Sequence, residues 1–507
     1  MKIYHSISGK ADFESRWVAL RGFETHEVMV YSAYYDVRNT EKPIIRVIGI
    51  SRAKHPEKVT CRLYYEHRKN NLQDKLKLTH SNIIKDYIIN NVIVGSFWDV
   101  PGQVRVMEEY TTNSSLYHPC QIKCLLYDHK TRKLKNGVIP VSVSIIPYLS
   151  STITHNYKLP VINSKNGGTG TYRATKNEVG LCVKPVHTNY DDWLQLISFI
   201  EFNKILGVSK IIVYKESISE RIECVLKYYN EIENFVSVMA WNVFTESNIS
   251  VANMRNRGVL ASLNDCFYRN MNEYQYLFSV DLDEFIVPHM HNTIPEMLEY
   301  LQSTKIEYLE RYWRQENVMN NVQNTSNPNI TTSYNFVNSF FYQQYGKILM
   351  VFSIYIGSIQ TIIISNILTY DASMTIIFLS LDDDENLNVS LTNNMFEKMI
   401  ILRKTRRTSE FYPPAKRSKY IAIPNQVLQA GNHFIHWFQQ GKEVNVPPNI
   451  GFLHHYRATC VDDEPDQPNK CIKDPTQVDR TIHKHKQKLL DSMNKVFLAL
   501  SQQCNLS

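Results

Sequence analysis

The sequence predicts a mixed α/β protein, with a small β-rich region ahead of a parallel-sheet α/β domain. Three observations carry this. Residues 27–150 hold short β-rich runs separated by turn residues. After Gly180 apolar strands alternate with helix-period segments, β-α-β-α-β-α-β, a pattern that folds into a parallel sheet with helices on both faces. A polar stretch over 151–180 divides the two regions. The expected units are therefore 1–150 (β-rich), 151–180 (linker), 181–460 (α/β, with 345–400 as an irregular insertion) and 461–507 (an acidic loop and a helix).

Each element has its reason. Val28-Met29-Val30-Tyr31, Ile44-Ile45-Arg46-Val47-Ile48 and Val141-Ser142-Val143-Ser144-Ile145 read as strands, and Asn136-Gly137 as a turn. Asn166-Gly167-Gly168-Thr169-Gly170 lacks the Lys-Ser/Thr of a phosphate-binding loop, so it reads as a linker. Leu181-Cys182-Val183 opens the α/β region. Asn189 and Asp191 are placed to cap a helix with Trp193, Leu196, Ile197 and Ile200 on one face, and Leu206-Gly207 ends it. Ile211-Ile212-Val213-Tyr214 is a strand. Ile218, Ile222, Val225, Leu226 and Tyr229 mark the next helix, and Phe235-Val236-Ser237-Val238-Met239 the next strand. A third helix is expected over 251–271. Tyr276-Leu277-Phe278-Ser279-Val280 then runs into Asp281-Leu282-Asp283-Glu284.

Composition narrows the function. The chain has 507 residues, 43% of them hydrophobic, enough for a large core without a metal or disulfide to staple it. A net charge of +7 is spread along the chain, so it admits an anionic ligand but excludes the concentrated footprint of nucleic-acid binding. Nine cysteines contain no CxxC pair, which excludes zinc-ribbon and thioredoxin-type chemistry. Cys460 and Cys471 bracket an acidic, Pro-rich loop and could pair, with free thiols as the alternative. Six N-x-S/T sequons, at Asn113, Asn248, Asn324, Asn329, Asn388 and Asn505, are about what chance gives in so Asn-rich a chain. Residues 1–20 carry no apolar run, so no anchor helix is expected there. The uncharged stretch 348–370 is long enough to span a bilayer. Ser353, Gly357, Gln360 and Asn366 interrupt it, and the expectation is an insertion that does not cross, or else a strand pair rich in β-branched residues.

The acidic cluster sits where open α/β sheets bind ligands, at a strand's carboxyl end. Read as extended chain, Asp281 and Asp283 point to one side. Oxygen-only ligands on a short segment suit Mg²⁺ or Mn²⁺, which completes its shell on a substrate diphosphate. A solvated acidic turn is the bland alternative, and the spacing of an EF-hand is missing. In Gly451-Phe452-Leu453-His454-His455-Tyr456-Arg457 the two histidines face opposite ways, so His455 or His454 could add one nitrogen ligand. Arg457 shares the face of His455 and could pair with phosphate. Two basic segments, Arg403-Lys404-Thr405-Arg406-Arg407 and Lys416-Arg417-Ser418-Lys419, could close over a diphosphate or simply be solvated; a nuclear-localisation reading has no other support.

These residues resemble glycosyltransferase family 92. The matching blocks are Tyr31-Ser32-Ala33-Tyr34-Tyr35-Asp36, Leu181-Cys182-Val183-Lys184-Pro185, Leu263-Asn264-Asp265-Cys266-Phe267-Tyr268-Arg269 and Ser279-Val280-Asp281-Leu282-Asp283-Glu284-Phe285-Ile286-Val287-Pro288. Arg417-Ser418-Lys419-Tyr420-Ile421, Gly431-Asn432-His433 and Leu453-His454-His455-Tyr456-Arg457 follow in the family's order. The resemblance implies a GT-A-like, Rossmann-like parallel-sheet glycosyltransferase domain. It also implies a membrane-associated or lumenal Golgi enzyme, a Mn²⁺ or Mg²⁺ cofactor, a UDP-sugar donor with galactose as the sugar, and a glycan or glycoprotein acceptor. It assigns Asp281 and Asp283 to the metal, to which the strand pattern described above adds His455. Lys184, Asn264 and Asp265 line up with family blocks and would bind the nucleotide sugar with Asp281. From the residues themselves Arg457 joins them, and Asp283 and Glu284 are expected to act in catalysis, Glu284 as the base. The stretch after Phe341 has no counterpart in the family pattern. A non-catalytic glycan-binding relative of the same fold and a metal-dependent phosphoesterase using the same acids stay open as alternatives.

Overall fold

A computed structural model describes residues 16–20, 28–38, 42–52, 56, 58–66, 85–89, 92–107, 115–126, 139–148, 157–162, 178–315, 330–342, 348–356, 359–365, 376–380, 399–457 and 475–506. Its amino-terminal part holds strands β1 (Val18–Leu20), β2 (Val28–Asp36), β3 (Ile44–Arg52), β4 (Val59–Glu66), β5 (Lys85–Ile89), β6 (Val92–Val106), β7 (Tyr117–Leu125), β8 (Ser142–Pro147) and β9 (Leu159–Ile162). They pair in the order β2-β3-β7-β6-β4-β8-β9, and β9 returns to β2 in parallel register, Ala33 opposite Val161. Seven strands therefore close a barrel, which leaves no open edge along that circuit. The region expected to be β-rich is so, but β9 lies within the segment read as a linker. The glycine-rich run at 166–170 lies outside the described residues.

Alternation along β2 explains how the barrel is used. Val28, Val30, Ala33 and Tyr35 point inward onto Ile45, Val47, Leu63 and Ile122. Met29, Tyr31 and Tyr34 point outward into a second core. The register against β3 shifts between Val30 and Ser32. That bulge lets Tyr31 and Ser32, adjacent in sequence, both reach the α/β half.

The α/β half follows the expected alternation: β10 (Val179–Val186), α1 (Trp193–Ile205), β11 (Lys210–Lys215), α2 (Glu220–Lys227), β12 (Val236–Ala240), α3 (Val259–Asn270) and β13 (Tyr276–Val280). The four strands are parallel in the order β12-β11-β10-β13. Trp193, Leu196, Ile197 and Ile200 are buried as the periodicity requires, and Gly207 ends the turn after α1 at φ 87°. The cap differs from the expectation. The Asp192 carboxylate accepts from the Gln195 N–H at 2.9 Å, while Asp191 is drawn off to Ser219 and Arg221. The third helix starts at Val259 rather than 251. Asn256 and Arg257 sit at φ 43° and 51°, a left-handed pair no helix tolerates, so 251–258 form two 3₁₀ turns.

The remainder comprises β14 (Glu284–Pro288), α4 (Ile294–Ser303), α5 (Ile306–Gln315), β15 (Thr331–Phe336), β16 (Asn338–Tyr342), β17 (Ile348–Ile356), β18 (Ile359–Ser365), β19 (Ile376–Ser380), β20 (Arg406–Thr408), β21 (Lys419–Ala422), β22 (Val427–Ala430), β23 (Ile435–Phe438), β24 (Lys442–Asn445), β25 (Gly451–Arg457), β26 (Thr476–Val478) and α6 (Lys486–Leu500). Strands β21, β15 and β24 extend the parallel sheet beyond β13, and β14-β25-β16 form a small second sheet. The uncharged stretch is strand: β17 pairs antiparallel with β18 and β19. Among the described residues no helix is long and apolar enough to cross a membrane.

One buried cluster joins the two halves, with Trp17, Met29, Tyr31, Tyr34 and Ile48 packed on Trp241, Leu263, Phe267, Tyr420 and Ile435. Among the described residues three disulfides tie the chain: Cys61–Cys124 in the barrel, Cys182–Cys266 from β10 to α3, and Cys224–Cys504 from α2 to the carboxyl end. Cys120 is buried and free. Cys460, Cys471 and the acidic loop between them lie outside the described residues.

Candidate active site

In the order β12-β11-β10-β13 the sheet changes direction between β10 and β13, the crevice where such sheets take ligands. Lys184, near the end of β10, puts its Nζ 2.7 Å from Asp281 Oδ2, just past β13. Lys419 opens β21 and reaches both acids, 3.6 Å from Asp281 and 2.8 Å from Glu284. Burial alone would raise the Asp281 carboxyl, but Lys184 and Lys419 outweigh it and hold the group well below the usual carboxylate range.

Asp281-Leu282-Asp283 is a turn, not the extended segment expected. Glu284 N–H donates to the Asp281 carbonyl at 3.1 Å, and Asp281 N–H donates to Glu284 Oε2 at 2.9 Å. The two aspartates therefore serve different partners. Asp281 meets the lysines, and Asp283 Oδ2 lies 3.5 Å from His455 Nε2. Both keep access to solvent, with side chains 41% and 32% exposed. His455 reaches this place because β14 and β25 pair with Glu284 opposite His455. Its ring lies 4.6 Å from that of Phe340, and Arg457 and Arg417 stand 5.5 and 5.7 Å from the Phe340 ring. The expectation that Arg457 shares the face of His455 therefore holds. His454 points to the reverse face, toward His289.

Three expectations need correction. Glu284 is buried and occupied: it pairs with Lys419, accepts from the Asp281 N–H and lies 3.4 Å from the His455 ring, and burial's upward push on its carboxyl is overcome by Lys419, which lowers it. A base must be free to meet an acceptor hydroxyl, so this residue positions rather than abstracts. Asn264 and Asp265 are not in the crevice. Asp265 is sealed between α3 and the barrel, accepting from Ser32, Tyr34, Tyr214 and Arg269. Asn264 binds the main chain of Ala430 on β22. Of the two basic segments only 416–419 reaches the site, because Arg407 is buried against Asp479 at 3.2 Å. In the sequence Lys419 reads as part of a charged run and of the family block Arg417-Ser418-Lys419-Tyr420-Ile421, neither of which gives it a role. The missed signal is its place as the first residue of the apolar strand Lys419-Tyr420-Ile421-Ala422.

A separate carboxyl lies on β24. Glu443 accepts from Ser333 Oγ at 2.9 Å and Asn335 Nδ2 at 3.1 Å, and burial pushes it from 4.5 up to about 7. The folded protein thus keeps this proton up to about pH 7, whereas the unfolded chain releases it near 4.5. Stability therefore falls as pH rises through that window. Glu443→Gln is expected to match the parent near pH 4.5 and to exceed it progressively toward pH 8, by on the order of 1–3 kcal/mol. Thermal melts across that range check it; a constant difference would refute it.

The model of glycosyltransferase family 92 matches residues 177–348 and 373–497, well over half of the chain. The match starts after the barrel and skips most of β17 and all of β18. "Beta-1,4-galactosyltransferase galt-1" of Caenorhabditis elegans is 26% identical over 159 residues, 31% of this chain and 36% of that protein. The chain thus matches about a third of the length of that curated relative.

Proposed function

The chain belongs to glycosyltransferase family 92, and from that premise we propose that it moves a hexose, galactose first among them, from a UDP-sugar to a glycan acceptor. The observation that carries this is the Asp281–Asp283 turn at the switch point, flanked by Lys184, Lys419, His455 and Arg457. The strand order and the acidic turn after β13 support a GT-A-like reading of the α/β half. The residues fit a divalent cation: the part-exposed Asp283 lies 3.5 Å from the buried His455, and Asp281 can share its second oxygen. This oxygen-rich set with one nitrogen suits Mn²⁺ or Mg²⁺. Such an ion would supply Lewis-acid stabilisation to the departing diphosphate.

The chain's own groups do the rest. Lys184 orients Asp281, and Glu284 holds Lys419 beside it. Arg457 and Arg417 bring positive charge to the rim, where the part-exposed Tyr412, backed by the buried Phe340, offers a flat apolar face for a sugar ring. The three disulfides support folding in an oxidising compartment, in keeping with the Golgi lumen.

Screening UDP release across UDP-sugars in Mn²⁺, with and without glycan acceptor, tests the reading. Acceptor-dependent release from UDP-galactose is expected. Phosphoester hydrolysis without transfer would select a phosphoesterase, and glycan binding without turnover a non-catalytic relative. Because the family match breaks between 348 and 373, deleting 349–372 is expected to leave turnover intact. Loss of turnover in a variant that still melts cooperatively would assign that stretch a role in the reaction.

A further inference from the structure

Among the described residues, three ligating side chains converge within 4.8 Å at His289, His454 and Asp479. We propose that they form a second metal site, structural in role and suited to zinc. It lies behind β25, on the face opposite His455, and rests on nothing in the transferase reading.

The ligands come from three distant segments. His289 follows β14, His454 lies in β25, and Asp479 follows β26. The two Nε2 atoms are 3.1 Å apart, and Asp479 Oδ2 is 3.9 Å from His289 Nε2. Ligands about 2.0–2.1 Å from a tetrahedral zinc ion stand about 3.3–3.4 Å from one another, so small movements would seat the ion. The outer groups are already in place. His289 Nδ1 meets Thr481 Oγ1 at 3.2 Å, and His454 Nδ1 meets the Tyr456 hydroxyl at 3.5 Å. Thr481 N–H and Arg407 Nε hold the two oxygens of Asp479. Partners of this kind orient the ring nitrogens toward a metal. Phe452 packs on both imidazoles and Phe341 on His454, an apolar wall that favours a structural over a catalytic ion. With three protein ligands a water would fill the fourth position, so the apolar wall and not the ligand count argues for the structural role. The ion would clamp the segment entering α6 onto the reverse of the β14–β25 pair, whose front carries Glu284 and His455.

The competing account is a plain N–H···N hydrogen bond between the two rings. The test is metal content of the full chain, purified without chelator and measured by mass spectrometry, with Asp283→Asn and His289→Ala alongside. About one zinc ion per chain is expected in the parent and in Asp283→Asn, and none in His289→Ala. A zinc-free parent whose melting midpoint ignores added zinc overturns the proposal, as does zinc retained by His289→Ala. If His289→Ala fails to fold, Co²⁺ in Asp283→Asn decides. Intense visible d–d bands are expected there, and the weak spectrum of hexaaqua Co²⁺ would overturn the site.

Discussion

Asp283→Ala is expected to reduce UDP-sugar turnover by at least about a hundredfold and to remove Mn²⁺-dependent UDP binding, because the proposed metal ligand and its pairing with His455 go together. The fold is expected to survive. The side chain is 32% exposed, and its nearest partner is one histidine 3.5 Å away. What the turn needs from this residue is its carbonyl, which accepts the Tyr456 N–H at 2.8 Å and is kept in alanine. Calorimetry with UDP in Mn²⁺ reads the result. An unchanged affinity would remove Asp283 from the metal and leave Lys184 and Lys419 as the diphosphate partners.

Asp265→Ala is expected to act in the opposite way, costing about 3–5 kcal/mol of stability and sparing the crevice. The carboxylate is fully buried and takes bonds from Ser32 and Tyr34 on the barrel, Tyr214 on β11 and Arg269 on its own helix. Removing it leaves the mostly buried Arg269 without its counter-charge and the hydroxyls Ser32, Tyr34 and Tyr214 short of an acceptor. Urea unfolding measures the loss, and any folded fraction should bind UDP as the parent does. Near-parental stability with UDP binding gone would restore the nucleotide role implied by the family block.

Local pattern made the α/β half legible. The 3.6-residue spacing found α1 and α2, apolar runs found β10 to β13, and opposite-facing neighbours separated His454 from His455. What failed was non-local. The barrel closes through β2 and β9, about as far apart as that half allows, and β9 hides in a polar stretch. The Asp281 turn is fixed by Glu284 folding back on it, which alternation cannot show. Lys419 enters because β21 pairs antiparallel with β13, so a residue remote in sequence becomes a neighbour of Asp281. Asp265 misled because a buried, fully bonded carboxylate and a ligand-binding one look alike in sequence.

The outward residues of β2 bear on how this protein can be divided. The family match begins at 177, which invites expression of the α/β half alone. Without the barrel, Trp241, Leu263 and Phe267 would face water together with the polar ring around Asp265. An uncovered apolar patch of that kind drives aggregation. Soluble yield would then follow the presence of residues 16–162, whatever reaction the crevice performs, and the stretch matched by the family would be smaller than the unit that folds.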